Sequence, residues 1–280
     1  MTKYTALAIV TNYWKPKDNY TDKIINAIEN EIEAGDFVVV SEKAISTALG
    51  NIVDEACVKP GLSARVMAHF WMRFVWGYPL GLLCGFGQRL LKRLRNYPLE
   101  SGGRHKQVAI QYAGFWQALM FGSEGGIDGS NLPYSYVSLP LNNADELALN
   151  IRNQIRLRLR KNVCLIIADT DKTYKFRNFF FTPRPTTLKG IQSLGASSTY
   201  ILGRILKLKK SSTPLAVAGC NPGASEALKI TNIADKARGP GSGATVWDMA
   251  ARFKVEVNGV SWEMLEALRH KPIVIVRKTR

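Results

Sequence analysis

Residues 37–40 read FVVV, four apolar side chains in a row between the polar stretches GD and SEK. A strand with no polar alternation has no side to offer water, so both of its faces must be covered. Residues 163–168, VCLIIA, make a second such run, and the closing KPIVIVRK makes a third. Strands of this kind need helices on both sides of a sheet. The chain supplies them. Residues 20–32 put Ile24, Ala27, Ile28 and Ile32 on one face, and Leu147, Ile151, Ile155 and Leu159 recur every four residues. Asn143 and Glu146 stand where a capping box would open that second helix. Its other face carries Arg152, Arg156, Arg160 and Lys161, read as a solvated basic face. With a first strand over residues 3–11, the expectation is an α+β (mixed α/β) fold with mixed sheets.

Residues 61–94 are apolar and helix-like, ending in the basic RLLKRLR. Within them FVWGYPLGLLCGFG is uncharged, but it is 14 residues long and carries Pro79, short of the roughly 20 residues a spanning helix needs. A core or interface segment is expected there, with peripheral membrane contact as the alternative. NYPLESGGRHK reads as a loop, QVAIQYAG as a strand, and KFRNFFFTPRP as a strand ending at prolines. NPGASEALKITNIADKA reads as a helix, RGPGSGAT as a glycine-rich connection, and TVWDMAARF and SWEMLEAL as short helices. The organisation expected is one unit over 1–280, or two lobes. It includes a helical apolar insertion at 56–104, and the glycine-rich loop with its short helices at 237–271.

Hydrophobic residues make up 46% of the chain and charged residues 21%, which excludes a disordered protein. The net charge of +16 asks for an anionic partner: nucleic acid, an anionic membrane, or a phosphorylated small molecule. Cys57, Cys84, Cys164 and Cys220 form no CxxC pair and are read as four buried or half-buried thiols, without a disulfide framework or zinc site. His69, His105 and His270 make no metal motif. The apolar N-terminus reads as a strand rather than a signal peptide, so a soluble cytoplasmic protein is expected.

Two carboxylates stand out. Asp128 lies in GSEGGIDGSNLP, and Asp169 lies in IIADTD with Thr170 beside it. Each follows an expected strand, and ligands of open α/β sheets collect at carboxyl ends of strands. Together they suit a hard divalent ion, Mg²⁺ or Mn²⁺, shared with phosphate oxygens; each alone is more commonly a turn residue. RGPGSGAT offers backbone N–H groups and a following helix N-terminus to a phosphate, or is a plain connector. Lys43, just after the first buried run, reaches a phosphate or is simply exposed.

In order, GDFVVVSEKAISTALG, GGIDGSN, LIIADTD and a final PIVIVR resemble the coenzyme F-420 gamma-glutamyl ligase family. The resemblance is strongest at residues 35–50, 122–140 and 163–171, and weak at 55–104 and 172–260. It implies a homodimer with a gamma-glutamyl-ligase-like mixed fold. It also implies GTP-dependent joining of L-glutamate to an anionic carboxylate substrate through an acyl phosphate. By that resemblance Asp128, Asp169 and Thr170 hold the metal. Asn131, Glu42 and Lys43 contact nucleotide, as do Thr11, Asn12, Tyr13 and Trp14 in the N-terminal loop, and Gly239, Gly241, Ser242 and Gly243 in the late glycine loop. The chain departs from the pattern in three places. Thr47 stands where the family has a lysine, DTDKTY replaces D-T-x-G-R, and RGPGSG lacks a metal-binding glutamate that Glu124 or Asp171 would have to replace. These departures point to a divergent branch and leave open another carboxylate acceptor. A non-catalytic, basic nucleic-acid binder on the same fold is the alternative.

Overall fold

A computed structural model describes residues 3–122 and 124–279. The nine strands described are β1 (Lys3–Thr11), β2 (Phe37–Ser41), β3 (Ile52–Asp54), β4 (Tyr136–Ser138), β5 (Cys164–Phe176), β6 (Phe179–Thr182), β7 (Ile191–Ser193), β8 (Lys209–Ala218) and β9 (His270–Thr279). The helices begin with α1 (Tyr20–Ile28), α2 (Glu42–Ala48) and α3 (Leu62–Val66). A helix of π-type hydrogen bonding, Met67–Leu80, runs on from α3 into α4 (Gly81–Leu83), then α5 (Gln88–Arg95), α6 (Leu99–Tyr112) and α7 (Phe115–Ala118). The rest are α8 (Ala144–Leu159), α9 (Ala196–Ile205), α10 (Ala224–Arg238), α11 (Val246–Phe253) and α12 (Trp262–Glu266).

The main sheet runs β1-β9-β2-β5-β6-β7, with β8 also paired to β5, and β3-β4 is a separate ribbon. β2 and β5 are parallel, while β9 is antiparallel to both β1 and β2, so the sheet is mixed and the fold is α+β. The three apolar runs are its middle. Val38, Val40, Leu165, Ile167, Ile273 and Ile275 face a core with α1 and α8. Val39, Ile166, Ala168, Val274 and Val276 face the opposite core with α10. Alternate side chains of one strand enter different layers, which is why no polar residue interrupts the run.

A third and fourth core lie within the helices of residues 62–118. Met72, Trp76, Leu91 and Leu94 form one, and Met67, Val108 and Ala109 meet Ile127 and Val137 in the other. Helices run from Leu62 through Leu83 and over Gln88–Arg95, and α6 begins at Leu99. The stretch QVAIQYAG is not a strand, and NYPLESGGRHK is a loop only at its start, because α6 covers both from Leu99. The glycines that suggested a loop have a packing reason: a Cβ on Gly102 would overlap the Tyr97 ring. Asn143 does sit at the N-cap of α8, but its side chain makes no capping bond.

β5 continues to Phe176 rather than ending at Ala168, and β8 and α9 had no clear signal in the sequence. The antiparallel register places Leu165 opposite Ala218. It brings Cys164 and Cys220 together as a disulfide with Cα atoms 5.2 Å apart. This corrects the expectation of four free thiols; a separation of 56 residues gives no sequence signal of the pairing. Cys57 and Cys84 are free, the first exposed and the second buried. Among the described residues no helix is long and apolar enough to cross a membrane.

Ile166 is fully buried in the middle of β5. Ile166→Ala should lower the unfolding free energy by about 2–5 kcal/mol, read from urea denaturation.

Candidate functional site

β2 delivers its chain straight into α2, so Lys43 stands in the first helical turn past a buried strand. Its ammonium pairs with Asp128 Oδ2 and also donates to the Ser130 carbonyl at 2.9 Å and the Ser130 hydroxyl at 2.8 Å. Asp128 does not follow a strand; it bridges to Ser138 at the end of β4. Its Oδ1 accepts the Ser130 N–H at 2.7 Å. Asn131 has φ 60°, a left-handed conformation that asparagine tolerates. In that pose its Oδ1 accepts the Ser242 N–H and hydroxyl, both at 2.6 Å. A Cβ on Gly241 would crowd the same Asn131 oxygen, so glycine lets the late loop close on the early one. The Tyr13 hydroxyl donates to the Asn131 carbonyl at 2.5 Å, and its ring stacks on His270 at 4.3 Å.

Asp169 sits inside β5 at an irregularity where its pairing with β8 shifts register. Such bulges re-aim side chains. Asp169 Oδ1 accepts the Thr170 N–H at 2.6 Å, and Oδ2 accepts from Arg184 Nη1 at 2.7 Å. The same guanidinium forks onto Glu42 at 2.9 and 2.8 Å, and Glu42 also accepts the Leu141 N–H at 2.9 Å. Glu42 and Arg184 are both buried. Burial pushes the Glu42 carboxyl upward, against the pull of Arg184. Burial also opposes the charge on Arg184, but Glu42 and then Asp169 outweigh it and hold the guanidinium above its ordinary value. Gly126, at φ +100°, touches this chain of charges: a Cβ there would coincide with the Arg184 guanidinium.

A cavity of about 530 Å³ opens between these groups. Asp128, Asp169 and Thr170 line it together, with Lys43, Lys172, Lys236, Arg238 and Lys271 around them. Lys172 is held by Asp235 at 3.0 Å. Arg238 Nε and His270 Nδ1 are shielded from solvent and have no hydrogen-bond partner among the described residues. The Arg238 side chain lines the cavity beside Lys172, Lys236 and Lys271, a set of cations that suits an anionic ligand. Among the described residues no three His, Cys, Asp or Glu side chains cluster as a metal cage. The oxygen donors of Asp128, Asp169 and Thr170 nevertheless suit a hard cation whose remaining ligands are phosphate oxygens and water.

Of the other residues singled out in the sequence, Tyr13, Trp14, Asn131, Gly239, Gly241 and Gly243 also line the cavity. Thr11, Asn12, Glu42 and Ser242 do not. Thr11 accepts the Trp14 indole N–H at 3.1 Å and so holds that ring. Glu42 anchors Arg184, and Ser242 anchors Asn131. Thr47 lines the cavity, its hydroxyl spent on the Lys43 carbonyl at 2.8 Å. Glu124 is outside the cavity lining, buried between His105 Nε2 at 2.9 Å and Lys106 at 2.5 Å. Burial opposes its charge, but Lys106 and His105 prevail and hold the carboxyl far below the usual range. It is fully engaged there. Asp171 is buried, and its backbone carbonyl accepts the Thr213 hydroxyl at 2.7 Å. Arg184, Arg238, Lys172 and His270 were missed. Lys172 in DTDKTY and Arg238 at the head of RGPGSGAT stand in stretches that were read for their other residues, whereas Arg184 and His270 lie in stretches without motif, the proline-flanked Arg184 in TPRP being the one hint of a fixed cation.

Residues 8–220 match the family described as F420-0:Gamma-glutamyl ligase. The chain belongs to this gamma-glutamyl ligase family. It is also similar to the uncharacterized protein MJ1361 of Methanocaldococcus jannaschii, 35% identical over 289 residues that cover 97% of this chain and 96% of the relative. Family membership brings a ligase role in coenzyme F420 biosynthesis. The match ends at residue 220, before the glycine loop of 239–243, so the far wall of the cavity lies outside it.

Two outcomes test this geometry. Gly126→Ala should destabilise the fold by roughly 1–3 kcal/mol, read by thermal melting, because the left-handed backbone and Arg184 both resist a Cβ. The His270 imidazole is pushed down to about 4, by burial first, then by Arg238 and Lys23 against a hydrogen bond to the Asn12 backbone. The unfolded chain takes up that proton near pH 6.5, so this contribution is complete above 6.5. It is lost as pH falls toward 4, on the order of 3 kcal/mol in all. His270→Gln should flatten the stability curve across that window.

Proposed function

We propose that the protein is a nucleotide- and divalent-metal-dependent ligase that joins L-glutamate to a carboxylate of a phosphorylated, coenzyme F420-type precursor. The observation that carries this reading is the cavity itself: two carboxylates from segments 41 residues apart share it with five cationic side chains and a glycine loop. In this reading GTP is the nucleotide. Its γ-phosphoryl group passes to the acceptor carboxylate, giving an acyl phosphate and GDP. The glutamate amine then attacks the acyl carbon, the amide forms, and inorganic phosphate leaves as the amine gives up a proton. Chemistry of this kind is mostly positioning and charge neutralisation.

The roles follow from the contacts. Arg238 and Lys172, both in the cavity wall, would take phosphate oxygens. The backbone N–H groups of residues 239–243 would approach the phosphates closely, since glycine leaves no Cβ in the way. Tyr13 and Trp14 would back the cavity wall, Tyr13 stacked on His270 and Trp14 anchored in the core. Bound Mg²⁺ or Mn²⁺, held by Asp128 and Asp169 with Thr170, would neutralise charge on the phosphates. Lys43 and Arg184 meanwhile fix the two carboxylates in place. The same reading leaves room for another carboxylate acceptor, and it takes the protein as a homodimer. The +16 charge favours one different reading, a basic nucleic-acid binder on this fold.

Isothermal titration separates these readings. GTP should bind in the presence of Mn²⁺ and at least about tenfold more weakly without it. Asp128→Asn and Thr170→Val should each remove most of that metal dependence while leaving the melting temperature nearly unchanged. Absence of GTP and ATP binding with either metal would sink the ligase reading, and RNA retention with a steep salt dependence would replace it.

A further inference from the structure

The positive charge is not spread over the chain. Residues 56–99 and 172–225 hold sixteen of the thirty-eight Lys and Arg and none of the twenty-two Asp and Glu. The remainder of the chain is balanced, so these two acid-free tracts account for the whole net charge of +16. The fold brings them together. Tyr200 and Ile201 of α9 pack into the core of Trp76, Phe86 and Leu91, and Arg204 Nε donates to the Cys84 carbonyl at 3.1 Å.

The same tracts expose apolar side chains. In the helix from α3 through α4, Ala68, Met72 and Trp76 are buried, while Leu62, Val66, Phe70, Phe74, Tyr78 and Leu82 are exposed. Both sets step by four, and they are offset by two residues. In a helix of π-type turns that offset puts them on nearly opposite faces. One face makes the core and the other is an apolar stripe, with Leu62 80% and Leu82 58% exposed. Of the twenty-three large hydrophobic side chains exposed among the described residues, fourteen lie in the two tracts, Leu202, Ile205 and Leu206 of α9 and its end among them. Arg65, Lys92, Lys207, Lys209 and Lys210 are exposed in the same tracts. Arg89 and Arg93 approach Asp248 of α11, at 4.0 and 3.5 Å.

We propose that the exposed stripe of residues 62–82, with Arg65 beside it, docks the protein on an anionic lipid surface, the cations Lys207, Lys209 and Lys210 of the adjoining tract adding long-range attraction to the same charge. An apolar stripe among exposed cations, with no acid in either tract, matches what an interfacial element needs: apolar side chains for the acyl boundary and cations for the headgroups. The stripe belongs to no helix able to span a bilayer, so the contact is superficial. A second copy fits less well. A two-fold interface sets a patch against itself, and this patch would face like charge with no carboxylate in the tracts to answer it. Nucleic acid would account for the cations and leave the exposed phenylalanines and leucines without a role.

The test is flotation of the full-length protein with vesicles of about three parts phosphatidylcholine to one part phosphatidylglycerol, compared with phosphatidylcholine alone. The expected result is co-flotation with the anionic vesicles, weakened by salt and absent with neutral ones. The exposed-residue variant Phe70→Ser/Phe74→Ser and the charge variant Lys207→Glu/Lys209→Glu/Lys210→Glu should each lower retention by about tenfold or more. Both should keep the parent melting temperature. Three results would overturn the proposal: no flotation with anionic vesicles, equal flotation of the parent and both variants, or a parent dimer that Phe70→Ser/Phe74→Ser converts to monomer without any lipid binding.

Discussion

The buried fork between Arg184 and Glu42, extended to Asp169, is the interaction around which the site is organised. Taking three charges out of water is costly unless their hydrogen bonds are met. Here the guanidinium spends Nη1 and Nη2 on two carboxylates, and Glu42 has a backbone N–H besides. Three separate segments must be in place for this to happen: the start of α2, the bulge in β5, and the chain after β6. The loop of residues 122–133 must then leave room, which Gly126 does. Removing one partner strands a buried charge, so the arrangement is close to all-or-none. It holds Asp169 in the cavity wall while Lys43 does the same for Asp128.

A second pattern links the fold to chemistry. The strands that are apolar on both faces force helices onto both sides of the sheet, and the chain must turn sharply where each strand ends. Lys43 stands at one such turn, and His270 begins another strand, β9. The glycine loop of 239–243 closes over them from α10, pinned by the Asn131 side chain. Rigid strands thus set the floor of the cavity, and two loops tied to each other set its roof. The helical layer of residues 62–118 takes no part in that floor. Its cores are separate, and its outward face carries an apolar stripe that takes no part in the cavity.

Much of this was legible from the residues. The period and length of the apolar runs located β1, β2 and β9 and the helices α1, α8 and α10; Asp128 and Asp169 were singled out as ending strands, whereas one lies in an isolated bridge and the other inside β5. Where the reading failed, the cause was tertiary. Gly102 and Gly103 read as a loop because isolated glycines disfavour helix, yet Gly102 is there to admit the Tyr97 ring. Cys164 and Cys220 read as free thiols because pairing between β5 and β8 leaves no trace in their spacing.

Sequence by itself determined which strands lie in the middle of the sheet, since burial on two faces demands uninterrupted apolar residues. It also determined that glycine loops and two carboxylates are present, and where the excess charge resides. Tertiary structure alone decided the partners. Glu42 became an anchor for Arg184 rather than a wall of the cavity, and Glu124 was turned away to His105 and Lys106. Arg238, from the head of the glycine loop, and His270, from a stretch with no motif, were brought to one cavity. The physical reason is range: periodicity and turn chemistry act over a few residues, whereas an ion pair in a buried site depends on which distant segments the sheet register happens to align.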